Sequence, residues 1–105
     1  MICRLWRGWT TPENADSYQR VVHSEVIPGI EDRKIPGFRH IDLMKCDLGD
    51  EVEFQTLMWF DSLESIVAFT GKDYGVSHVP SAARVFLKSF DERAAHYEVI
   101  DRREQ

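Results

Sequence analysis

The stretch Val52 to Phe69 constrains the fold more than any other. Val52, Phe54, Met58 and Phe60 alternate with Glu53, Gln55, Leu57 and Trp59 before a helix-type spacing takes over at Leu63. Successive side chains of a strand point to opposite faces, so the first set, broken only by Thr56, lies on a core that helices must cover. The second set is too apolar for a face washed by water and too polar for an ordinary monomer core. Asp61, with Glu64 three residues on, reads as a capping box that starts a helix directly after the strand. Ile66, Val67 and Phe69 carry that helix's apolar side, and Gly71 can end it.

The rest of the chain supplies partners for this unit. Ile2–Trp9 reads as a first strand whose faces, Ile2, Arg4, Trp6, Gly8 and Cys3, Leu5, Arg7, Trp9, are both mixed, as expected where both sides are buried and one holds polar groups. Thr11-Pro12-Glu13 is a strong helix start, and Ala15, Tyr18, Val22, Val26 and Ile30 recur at helical spacing. Pro28 and Gly29 predict a kink or an end near Ile27, with a last turn to Arg33. Phe38–Asp47 follows Pro36-Gly37 as a second strand, and Asp47 to Asp50 is its turn. Gly71 to Val79 has no period and reads as a mobile loop. Pro80 opens a short helix containing Ala83, Val85, Phe86 and Leu87, Ala95–Ile100 is a final strand, and Asp101–Gln105 is a charged tail.

This order, strand, helix, strand, strand, helix, short helix, strand, is the split βαβ or ferredoxin-like pattern, βαββαβ, in the α+β class. Residues 1–105 form one domain. Both long helices then lie on one face of an antiparallel sheet, and the other face, with Leu57 and Trp59, is covered if two copies pack face to face as a homodimer. Hydrophobic residues at 43% and charged residues at 30% give a globular balance, and the net charge of −5 has both signs interspersed. No basic stripe points to nucleic acid, and no apolar run is long enough to span a membrane. Arg4 and Arg7 inside the opening apolar run argue against a signal peptide, so a cytoplasmic location is expected. Cys3 and Cys46 read as free thiols.

Several groups carry candidate chemistry. His78, beside Tyr74 in the loop-to-helix segment, could accept a phenolic proton or ligate iron as a neutral imidazole. Trp6, Trp9 and Trp59 could stack on a flat aromatic molecule, although large aromatics first serve packing. Of Arg4 and Arg7, one could bind an anionic ligand, although an ion pair with an acidic residue such as Glu53 is the simpler expectation. The four histidines are too scattered for a zinc site, and there is no phosphate loop or nucleophile motif.

Trp6-Arg7-Gly8-Trp9, Pro36-Gly37-Phe38, Leu48-Gly49-Asp50 and Thr56-Leu57-Met58-Trp59-Phe60 running into Asp61-Ser62 resemble the antibiotic biosynthesis monooxygenase family, a branch of the dimeric α+β barrel superfamily. The resemblance covers nearly the whole chain. It implies two ferredoxin-like subunits sharing a barrel, each with a small-molecule pocket between helices and sheet. It further implies a cofactor-independent monooxygenase acting on a small aromatic or polyketide-type molecule, with His78 and Tyr74 as catalytic candidates and Trp6, Gln55, Trp59 and Phe69 as substrate-binding candidates. The alternatives are a non-catalytic dimeric ligand-binding or stress-related protein and a haem-degrading enzyme. The haem-degrading branch uses an asparagine, a tryptophan and a histidine. Here Trp6 falls at the asparagine position, Phe69 at the tryptophan position, and His78 close to the histidine position, so haem is the less favoured cofactor and none is the expectation.

Overall fold

The computed structural model describes residues 1–105. Its elements are β1 (Ile2–Thr10), α1 (Pro12–Val21), a π-helical turn (Val22–Val26), α2 (Ile27–Asp32), β2 (Phe38–Asp47), β3 (Val52–Phe60), α3 (Leu63–Thr70), α4 (Ser81–Arg84), β4 (Ser89–Phe90) and β5 (Ala95–Glu98). The sheet runs β2-β3-β1-β4, with β5 also pairing with β1, and every pairing is antiparallel. This is the ferredoxin-like order, its last strand split into β4 and β5.

The alternation in β3 decides which face is covered. Val52, Phe54, Met58 and Phe60 are buried, whereas Glu53, Gln55, Leu57 and Trp59 are only partly so. Phe54, Phe60 and Ile66 are among the largest fully buried side chains, each contributing about 1.5–3 kcal/mol relative to exposure. The core has two halves. Trp6, Tyr18, Val22, Val52 and Phe54 pack beneath α1, while Ile30, Ile35, Met58, Phe60, Ile66 and Phe69 pack where α2 and α3 meet the sheet.

Local chemistry departs from the sequence expectations at four places: the cap of α3, the length of α4, the end of β5 and the presence of β4. The irregularity expected near Ile27 is present, and the expected last turn beyond Pro28 extends the helix. The π turn widens it just upstream, where Ile27 N–H reaches the Val22 carbonyl and Ser24 Oγ donates to the Arg20 carbonyl at 2.6 Å, so the ring is accommodated and helix continues to Asp32. Asp61 does not cap α3. Arg39 engages its carboxylate in a two-bond ion pair, and Ser62 becomes the N-cap, accepting from Ser65 N–H. The helix after Pro80 is one turn only, and β5 ends at Glu98, leaving Ile100 90% exposed. The two-residue β4 had no periodic signal at all.

The loop from Gly71 to Val79 has little regular structure, yet it is tied down rather than loose. Arg4 donates to the Tyr74 and Val76 carbonyls, Trp6 Nε1 donates to Ser77 Oγ, and Asp73 pairs with Arg93. Trp6 also donates to the Asp91 carbonyl at 2.8 Å, which fixes the break between β4 and β5. Gly8 makes room for that indole: a Cβ there would stand 2.8 Å from Trp6 Cη2.

Candidate functional site

A cavity of about 40 Å³ lies at the seam where the two core halves fail to meet. Its wall is largely apolar, with Trp6, Val22, Ile30, Met58 and Phe69 among the residues, and four polar side chains break it: Arg4, Tyr18, Thr56 and His78. Arg4 comes from β1, Thr56 from β3, Tyr18 from α1 and His78 from the end of the tied loop, so sheet, helix and loop all contribute.

Arg4 is the unusual member. It is 3% exposed, and no carboxylate pairs with it. Its guanidinium donates through Nη1 to the Tyr74 carbonyl at 2.6 Å and through Nη2 to the Val76 carbonyl at 2.7 Å, and Nη1 lies 3.1 Å from His96 Nε2. Five N–H bonds are available and three are used, leaving Nε–H and one Nη2–H free. Burial without a counter-charge pulls its pKa from the usual arginine range down to about 10, which corresponds to roughly 3 kcal/mol against the charged form. Arg7, the other basic residue of β1, points to the opposite face and pairs with Asp91 at 2.9 Å.

The other polar groups differ in sign and role. His78 is held below its ordinary value, first by burial and then by the Arg33 and Arg4 charges, so its imidazole stays neutral near pH 7. Burial pushes the Tyr18 phenol upward, which keeps it a proton donor. Tyr18, Thr56 and His78 make no side-chain hydrogen bond within the chain. Thr10 Oγ1 is the one buried side-chain polar atom sealed off without a partner, so these groups, and Arg4 Nε–H, remain reachable by a water-sized molecule. Phe69 organises the charged end of the cavity: its ring centroid lies 5.0 Å from that of His78, 5.4 Å from Arg4 Cζ and 5.1 Å from Arg33 Cζ.

Of the residues singled out from the sequence, His78, Trp6 and Phe69 converge on this cavity. Tyr74 does not line it. Its phenol ring sits edge-on to His96 at 5.2 Å, and only its backbone carbonyl serves the site, through Arg4. Gln55 and Trp59 lie across the sheet on the face no helix covers. There Gln55 donates to Glu53 at 2.8 Å and Trp59 Nε1 to Asp42 at 3.1 Å, while Arg102 stacks 5.3 Å from the Trp59 ring. Tyr18 was legible only as a core position at helical spacing, and nothing in the sequence separates it from Ala15 or Val22.

No family model matches the chain, and no curated protein does. Among solved structures, it is similar to the crystal structure of an ethyl tert-butyl ether D (EthD) family protein from Bacillus halodurans C-125, with 20% identity and a TM-score of 0.60. The match covers 95% of this chain and 100% of that one. The shared feature is the ferredoxin-like fold. At this identity the likeness fixes architecture, so the chemistry rests on the cavity. No helix is long and apolar enough to cross a membrane.

Proposed function

We propose that the protein is a homodimeric oxygenase-type enzyme, related to the antibiotic biosynthesis monooxygenase and EthD-like α+β barrels, acting on a small aromatic or polyketide-type molecule. The observation that carries this reading is a solvent-accessible His78, kept neutral and without a hydrogen-bond partner in the chain, that lines the same cavity as a protonated phenol and a guanidinium with no carboxylate partner. That set suits removal of a proton: His78 accepts it, while Tyr18 O–H and Arg4 hold the oxyanion that results. An electron-rich carbanion or phenolate of this kind can reduce dioxygen itself, so the reading invokes no cofactor. In it, Tyr74 acts through its carbonyl on Arg4, and Gln55, Leu57 and Trp59 belong to the subunit interface.

Oxygen uptake tests the proposal, using a panel of anthrones and polycyclic phenols in chelated, flavin-free buffer. Turnover by the wild-type protein, reduced about 100-fold or more in His78→Ala, supports it, and full turnover by that variant removes His78 as the base. The small cavity favours a second reading, a non-catalytic dimeric binder of small molecules. Saturable binding with no oxygen uptake across the panel would establish that reading instead.

A further inference from the structure

We infer that the cavity takes a ligand already carrying a negative charge, a carboxylate or an ionised acidic phenol, with its charged oxygen against the free N–H bonds of Arg4 and the hydroxyl of Tyr18. The inference deepens the proposed function and rests on its assignment of the cavity as the ligand site, though not on oxygen chemistry.

A guanidinium that is 3% exposed, with no carboxylate within ion-pair distance, is an incomplete pair. The groups around it supply only dipoles, rings and further positive charge. Tyr74 and Val76 give carbonyls, His96 gives a ring nitrogen, Phe69 gives a π face, and Arg33 also lies over the Phe69 ring. A purely structural clamp would need only the two carbonyl bonds. Nε–H and one Nη2–H are left over, and Arg4 is part of the cavity wall. Tyr18, its phenol kept protonated, adds a neutral donor on the same wall, and His78, kept neutral, adds no competing charge.

The approach to the cavity has the same polarity. A groove of about 280 Å³, lined by α2 and the π turn before it on one side and by His78, Pro80 and Ala82 on the other, shares Val26, Ile30, His78 and Pro80 with the cavity. Arg33 lines that groove, with Glu25 as its one acidic residue. Arg33 is itself held in place by donating to the Phe69 carbonyl at 2.8 Å. A cation at the mouth and a second inside draw an anion inward along one path. The small cavity means that the charged end enters first, with the rest of the molecule left in the groove.

Calorimetric titration of the wild-type protein with acetate and benzoate, and with the neutral isosteres acetamide and benzamide, tests this. At least one carboxylate is expected to bind saturably, and its amide at least about tenfold more weakly. Arg4→Met should lose about tenfold or more in carboxylate affinity, Arg4→Lys should recover part of it, and Arg7→Met, on the outward face of the same strand, should lose none. Arg4→Met also removes donors from two loop carbonyls; if it does not fold, the carboxylate-against-amide comparison on the wild-type protein decides alone. Equal binding of acid and amide, no saturation by either carboxylate below about 10 mM, or a folded Arg4→Met with undiminished affinity would overturn the inference. Carboxylate binding without oxygen uptake leaves it standing while the oxygenase reading fails. Oxygen uptake on neutral substrates without anion preference does the reverse.

Discussion

Replacing Gly37 by alanine should be among the most damaging single-methyl additions to this chain, and its cost divides into two separable parts. Gly37 has φ of +82°, a left-handed conformation that a side chain disfavours by about 1–2 kcal/mol. An added Cβ would also stand 2.1 Å from Ser65 Oγ and 3.1 Å from Ser65 Cβ. Ser65 cannot turn away freely, because it sits in the first turn of α3, where its N–H and hydroxyl both face the capping hydroxyl of Ser62. Overpacking of this kind costs about 1–3 kcal/mol, giving about 2–5 kcal/mol in all. Gly49 supplies the control, since its φ is +93° but nothing lies within 4 Å of its added Cβ. In urea denaturation Gly49→Ala should lose only about 1–2 kcal/mol. Adding Ser65→Ala to Gly37→Ala should restore about 1–3 kcal/mol, measured as coupling in a double-mutant cycle. If Gly37→Ala is no worse than Gly49→Ala, the packing argument for this junction is wrong. The junction matters to the site because α3 carries Phe69, which sets the charged end of the cavity.

Further measurements bear on other parts of the account. The His78 imidazole, followed by NMR, should titrate below 6.5, and Arg33→Gln should raise its midpoint by removing one of the charges that depress it. His96, depressed by burial and by Arg4, shifts the same way. The unfolded chain therefore binds more protons than the folded one as pH falls below 6.5, so stability should drop through that window; a flat profile between pH 7 and the folded midpoint would contradict both assignments. The wild-type protein should sediment as a dimer at micromolar concentration, and Leu57→Glu, on the uncovered sheet face, should weaken the dimer about tenfold or more; a wild-type monomer would count against the shared barrel. Titration with haemin should give no saturable shift of the haem band, and a saturable shift would promote the haem-degrading reading.

What the sequence conveyed and what it concealed follow a physical division. Period-two alternation in Val52–Phe60 and helical spacing from Ala15 to Ile30 are consequences of burial on one face, so strand, helix and layer order could be read directly. Features that depend on one long-range contact could not. Arg39 captures Asp61 from the neighbouring strand and hands the cap to Ser62, and β4 is fastened where Trp6 and Arg7 engage Asp91 more than eighty positions along the chain. The site divides likewise. His78, Trp6 and Phe69 were visible as residue types in suggestive places. Tyr18 looked like any core position, and Gln55 and Trp59, one residue off in strand parity, lie on the wrong side of the sheet to share the cavity. Arg4 and Arg7 looked equivalent until the fold paired one with Asp91 and left the other with no carboxylate.

The most direct test of the central claim is the pH dependence of oxygen uptake, measured for the wild-type protein and His78→Ala on the best substrate of the panel. The wild-type rate should rise through a single ionisation below pH 6.5 and then level, with that limb absent and the rate at least about 100-fold lower in the variant. An identical profile and rate in the two proteins would show that the neutral imidazole facing the cavity does not carry the proton.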